Sequence, residues 1–84
     1  MTDTETLEVA STVVESFTNW PDHVLTVVRY RRPTEHGIVG EYWTCGCGDW
    51  SEWLELAPPI RREKHRPAQA AVRGRWNNHR RGVA

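Results

Sequence analysis

Along this chain the spacing of apolar positions changes several times, and each change marks an element. In residues 4–19, TETLEVASTVVESFTN, Leu7, Ala10, Val14 and Phe17 recur at intervals of three and four, which predicts an amphipathic N-terminal helix. Acidic residues in its first turn suit the positive end of the helix dipole. Trp20-Pro21 ends it, because the residue before a proline avoids helical angles. The β-branched residues leave a strand over 7–14 as the alternative. Residues 23–32, HVLTVVRYRR, alternate and are rich in Val, as a strand demands. PTEHG follows as a turn by composition, and residues 38–45, IVGEYWTC, read as the return strand of an antiparallel hairpin. DWSEWLELA fits either a short helix, with Asp49 as cap and Glu52 three residues later, or a third strand; Pro58-Pro59 stops it in both cases. Beyond the basic connector IRREKHR, a last helix over about residues 67–81 sets Ala68, Val72, Trp76 and His79 on one stripe, with Pro67 in its first turn and Gly74 weakening its middle.

Length narrows what these elements can build. Eighty-four residues make a single small domain, and a chain of this size buries little enough surface that a staple is expected. Hydrophobic content is 38%, but five tryptophans enlarge the apolar surface each core position supplies. Charge sums to zero and is unevenly spread: −5 over residues 1–22, −2 over 23–60 and +7 over 61–84. Acidic head and basic tail can neutralise each other within the fold or meet outside partners. The acidic N-terminus lacks the charge and apolar run of a secretory signal, and no apolar run is long enough to span a bilayer, so a cytoplasmic, non-membrane protein is expected.

The chemistry concentrates in YWTCGCGDW, which holds both cysteines, Cys45 and Cys47. A reducing compartment argues against a disulfide, and so small a ring would restrain little of the chain. A redox pair favours Cys-x-x-Cys at a helix start. Two thiolates aimed at one point by a glycine-bearing turn are instead what a tetrahedral zinc needs, with imidazoles to complete the set. His79, on the apolar stripe of the last helix, is the third ligand. If the hairpin turns near residue 35, residue 35 + n faces 35 − n, so Cys45 lies opposite Leu25 and Cys47 opposite His23. The turn residue His36 is then about nine strand residues from Cys45, roughly 30 Å away, and is excluded. His65 also falls on the helical stripe, but fourteen residues of helix separate it from His79 by roughly 21 Å. Unless the helix begins late or breaks at Gly74 the two cannot share a metal, so His23 is preferred as the fourth ligand of a structural Zn2+ site, with His65 as the alternative.

YWTCGCGDW followed by AAVRGRWNNHRR resembles the small proteins of actinobacteria and their phages that carry Cys-x-Cys-Gly, an aromatic residue and a helix ending Trp-x-x-His. The matching positions are Cys45, Cys47, Gly48, Trp50, Trp76 and His79. The resemblance covers roughly residues 42–81 and implies a minimal zinc-finger-like module in a regulatory or accessory protein. A second helical histidine soon after the first, which would complete a two-Cys two-His finger, is absent, since Arg80, Arg81 and Gly82 follow.

The fold class expected is α+β: an N-terminal helix, an antiparallel hairpin of two or three strands with a zinc knuckle, and a C-terminal helix packed over it. The parts are an acidic helix in 1–22, the hairpin and knuckle in 23–57, and a basic helix in 61–84. No set of base, nucleophile and oxyanion donors is present, so no enzymatic activity is expected. A host or cellular protein is the expected partner, because Trp, Tyr and Arg dominate interface hot spots; Trp20, Arg29, Arg31 and Trp53 are the candidates. The alternative partner is nucleic acid, contacted by Arg61, Arg62, Arg73, Arg75, Arg80 and Arg81. The sequence pI of about 6.9 weighs against that alternative.

Overall fold

The computed structural model describes residues 6–82. Four strands, β1 (Glu8–Glu15), β2 (Leu25–Arg31), β3 (Ile38–Cys45) and β4 (Ser51–Glu55), precede a 3-10 turn at Arg62–Lys64 and one helix, α1 (His65–Arg80). The strands form an antiparallel sheet in chain order, β1-β2-β3-β4. The N-terminal helix expected over residues 4–19 is thus corrected: residues 8–15 are an edge strand, and the first two residues of that expectation lie outside the described residues. The expected helix–hairpin–helix layout gives way to a four-stranded meander and a single helix.

The reason is local. Val9, Thr12, Val13 and Val14 favour extended backbone, and β2 offers β1 a full ladder of partners, from Glu8 opposite Arg31 to Glu15 opposite Leu25. A bulge between Val9 and Ser11 breaks the two-residue alternation that would have marked a strand, and the helical interval from Ala10 to Val14 marks no buried face, since Val14 is exposed. Two ion pairs anchor this edge strand: Glu8 to Arg31 at 3.1 Å in the sheet, and Glu15 to Arg73 on α1.

The hairpin register is Leu25 opposite Cys45 through Tyr30 opposite Gly40. DWSEWLELA supplies a strand, with Trp53 opposite Tyr42 and Leu54 opposite Glu41. One sheet face is apolar and meets α1: Leu25, Val27, Trp43 and Cys45 bury against Val72 and Trp76, with Phe17, Trp50 and Leu54 packed around them. Glu41 lies on this face too, 1% exposed. Its charge is met by Arg29 Nε (2.9 Å), Trp43 Nε1 (3.1 Å) and Gln69 Nε2 (2.8 Å), the last reaching down from α1. Three donors are what make a buried carboxylate tolerable.

Among the described residues, no element lies over the opposite sheet face. The ladder sets three cross-strand rows there: Val9, Tyr30, Gly40 and Glu55; Thr12, Val28, Tyr42 and Trp53; and Val14, Thr26, Thr44 and Ser51. The Trp53 ring lies over Gly40, where any Cβ would overlap it, and stands 5.9 Å from the Tyr30 ring. Among the described residues, no helix is long and apolar enough to cross a membrane.

Candidate metal centre

Three chain segments converge at one end of the sheet. Cys45 is the last residue of β3. The turn after it, Cys45-Gly46-Cys47-Gly48, closes with the Gly48 amide donating to the Cys45 carbonyl (3.0 Å) and needs Gly48 at φ 85°, a value glycine takes without strain. Cys45 N–H donates in turn to Trp50 C=O (3.0 Å), so the knuckle is fixed on both sides. The second segment is the β1–β2 loop. There Trp20-Pro21-Asp22-His23 makes a turn with His23 N–H bonded to Trp20 C=O (3.0 Å), and the Gly46 amide bonds to Val24 C=O (2.8 Å). That bond ties the knuckle to the residue after His23. The third segment is the last turn of α1, which presents His79 on the side of buried Val72 and Trp76.

The result is a cluster of His23, Cys45, Cys47 and His79, with one ligand atom from each within 4.8 Å of all the others. His23 Nδ1 is 3.3 Å from Cys45 Sγ, and His79 Nε2 is 3.1 Å from Cys47 Sγ. Metal bonds of 2.0–2.3 Å in a tetrahedron set neighbouring N and S ligands roughly 3.3–3.8 Å apart, so the four side chains are compatible with one ion. The two imidazoles meet edge to face at 5.4 Å, and Trp50 stacks on His79 at 6.2 Å.

The surroundings favour thiolate at Cys45. Burial pushes its thiol up, but hydrogen bonds from the Cys47 amide, the Trp76 indole, His23 and Cys47 outweigh burial and bring it down to about 6. Trp76 Nε1 is buried on the Cys45 side of the core and makes no hydrogen bond of ordinary geometry there. At Cys47 the Asp49 amide favours the thiolate, yet desolvation and the adjacent Cys45 charge outweigh it and push that thiol up. Two sulfurs this close do not both ionise readily by themselves; a divalent cation between them removes the repulsion.

Arg80 sits next to His79 in the chain and packs from the other direction. Its Nε and Nη1 are buried without hydrogen-bond partners. The charge lies instead over the rings of Trp20 (4.3 Å), Trp76 (4.8 Å) and Phe17 (5.0 Å). Phe17 and Trp20 belong to the loop that carries His23, so this cage fastens that loop to the helix that carries His79.

The other sequence-predicted residues are dispersed. His65 begins α1 and contacts the Leu56 carbonyl (3.1 Å), at the opposite end of the helix from His79. Trp20 is in the Arg80 cage, Arg29 pairs with Glu41 and Arg31 with Glu8, and Trp53 is 43% exposed on the open sheet face. Of the basic set, Arg73 pairs with Glu15, Arg75 with Glu52, and Arg80 with the three rings. Arg61, Arg62 and Arg81 are exposed, Arg61 lying 3.8 Å from Glu63. The roles of Glu41 and of the Trp76 indole were missed. Glu41 had a signal: it alternates with Val39, Trp43 and Cys45 on the buried face of β3. The Trp76 contact had none, since it depends on how α1 crosses the sheet.

No family model, curated protein or solved structure matches this chain.

Proposed function

We propose that this protein is a small, non-enzymatic binding module whose fold is fastened by a structural Zn2+ at Cys45, Cys47, His23 and His79, and that it acts by docking a protein partner on its open sheet face. Zinc is the ion suited to two thiolates and two imidazoles, and four protein ligands leave no position for a substrate or reactive water. The likeness of residues 42–81 to actinobacterial and phage zinc-finger-like proteins supports the same reading, with a regulatory or accessory role in such a setting.

The observation that carries the docking proposal is the composition of the open face. Of the twelve residues in its three rows, Glu55 alone is charged, and Tyr42, Trp53, Val9 and Val14 are each at least 39% exposed. The apolar and aromatic members, Val9, Val14, Val28, Tyr30, Tyr42 and Trp53, lie together over the first two rows and one end of the third, and a cluster of exposed rings and aliphatic groups of this kind marks interaction sites on monomers. With no Lys or Arg among those twelve residues the face offers phosphates nothing, whereas an uncharged polypeptide surface desolvates it at little cost. The exposed Arg61, Arg62, Lys64 and Arg66 around the start of α1, with Arg81 at its far end, are what remains to support nucleic-acid binding.

The deciding experiment places a photo-crosslinker at Tyr42 and, as control, at exposed Asn78 on the helix. Cross-linking from Tyr42 to one identified polypeptide, lost with Trp53→Ser at unchanged metal content, is the expected result. Cross-links solely to a second copy of the chain would replace this reading with self-association. Salt-sensitive binding of random duplex, reduced by Arg62→Gln and Arg66→Gln, would replace it with nucleic-acid binding.

A further inference from the structure

The face of the sheet that α1 covers is covered unevenly. Of the strands, the backbone of α1 approaches β4 most closely. At the other edge Val13, on the same side as buried Val27 and Trp43, is 40% exposed. Between α1 and the β1–β2 half of the sheet lies a groove of about 280 Å3, near the lower end of the range for small-ligand sites. Val13, Val27 and Trp43 form its apolar floor, and Arg29, Arg66 and Arg73 line its walls.

The three cations are not equivalent. Arg73 spends both terminal nitrogens on Glu15, at 3.0 and 2.6 Å, and its guanidinium stands 5.7 Å from the Trp43 ring centre. It is a wall, already neutralised. Among the described residues Arg29 spends only Nε, on Glu41. Because Glu41 is buried and held by Trp43 and Gln69 as well, it fixes the Arg29 guanidinium while its side chain stays 42% exposed. The Nη pair, the geometry that matches an oxyanion in bidentate fashion, is left available. Arg66, on the α1 side, has no ion-pair partner among the described residues and is exposed. An apolar floor beneath one oriented guanidinium and one exposed, unpaired among the described residues, is a receptor for an amphiphilic anion.

We propose that this groove binds a carboxylate carried on an apolar body: Arg29 and Arg66 hold the carboxylate, and the floor around Trp43 takes the apolar part. Glu15 and Glu41 each offset one of the three cations, Arg73 and Arg29, which leaves one net positive charge at Arg66 and matches a monoanion. The ligand is either a free small carboxylate or the C-terminal residue of a polypeptide. The site is on the face opposite the proposed docking surface and does not depend on it.

The test is an amide-resolved NMR titration of the whole metal-loaded protein with 3-phenylpropionate, N-acetyl-Ala-Phe, the C-terminal amide of that dipeptide, and phenyl phosphate. Both carboxylates are expected to shift the amides of Val13, Gln69 and Ala70, and the neutral amide to leave them unmoved. Equal affinity for the two carboxylates assigns a free small molecule; tighter binding of the dipeptide assigns a chain terminus. Arg29→Gln would strip Glu41 of its counter-charge, so the variant used is Arg66→Gln. It is expected to weaken carboxylate binding about tenfold with metal content and the dispersion of other amides unchanged. Equal shifts from the dipeptide and its amide, tighter binding of phenyl phosphate, or indifference to Arg66→Gln would each overturn the proposal. Metal content, read in the same samples, separates failure here from failure of the zinc reading.

Discussion

His23 and His79 stand 56 positions apart in the chain, and each is placed by contacts of its neighbours: the Trp20–His23 turn and the Gly46–Val24 bond for one, the Trp76 stripe for the other. Replacing either by Ala is expected to abolish stoichiometric zinc in native mass spectra, whereas His65→Ala, at the far end of α1, retains it. Loss of zinc with His65→Ala and retention with His23→Ala would refute the assignment. Arg80 makes a second prediction at this scale. Its cation–π cage holds together the two segments that bring the histidines in, and each such contact is worth about 0.5–2 kcal/mol. Arg80→Met is expected to lower zinc affinity about tenfold in competition with a chromophoric chelator, and Arg80→Lys to lower it less. Equal affinity in Arg80→Met and the native protein would leave the cage without a role in the site.

At the scale of elements, β1 is held to the rest by its ladder with β2 and by the bidentate Glu15–Arg73 pair. The hydrogen bond from Arg73 leads the causes that hold the Glu15 carboxyl below its ordinary value, with burial opposing it. A carboxylate depressed in the folded state contributes stability that is complete above its unfolded pKa, about 4.3, and is lost as pH falls through the folded value. Glu15→Gln is therefore expected to destabilise the protein near neutrality by about 1 kcal/mol or less, since both partners are partly exposed. The difference between the denaturation midpoints of the two proteins should begin to shrink as pH falls through about 4.3 and vanish below the depressed folded-state value; a constant difference across pH would mean the pair contributes nothing through ionisation. The elements also differ in how legible they were. β2, β3 and α1 follow from alternation, turn composition and a helical stripe, all local signals, and the Leu25–Cys45 register follows from the turn. β1 did not, because its bulge at Ala10 breaks the alternation and its edge position leaves most of its side chains exposed. A pattern of burial cannot be read where little is buried.

For the whole molecule, the proposed ion joins the knuckle, the β1–β2 loop and the helix end around a core that contains few residues besides Leu25, Val27, Trp43, Val72 and Trp76. A domain this size commands roughly 4–13 kcal/mol of stability, and structural zinc sites supply about 10 kcal/mol or more of folding free energy. Chelation is therefore expected to abolish cooperative thermal unfolding, with tryptophan emission moving to the red as Trp76 and Trp50 are exposed and recovery on adding Zn2+. A chelator-treated protein that keeps its unfolding midpoint would end the structural-zinc reading. Trp76→Ala removes the largest fully buried side chain of the core, and is expected to cost about 3–5 kcal/mol in the zinc-loaded protein by chemical denaturation.

Sequence alone determined the parts whose causes are local: the hairpin and its register, the C-terminal helix that carries His79, the glycine-bearing Cys45–Gly48 turn, and a preference for His23 over His65 that the tertiary structure turned into proximity to the cysteines. Tertiary structure decided the rest. It decided that the N-terminal segment is a strand, because only pairing with β2 overrides its accidental helical spacing. It decided that Arg73, Arg75 and Arg80 turn inward to Glu15, Glu52 and three aromatic rings, because an acidic partner distant in sequence becomes a neighbour only when α1 crosses the sheet. It also decided which sheet face stays bare: one helix covers one face, and its placement toward β4 leaves the groove beside Arg29 and the aromatic rows around Trp53 open.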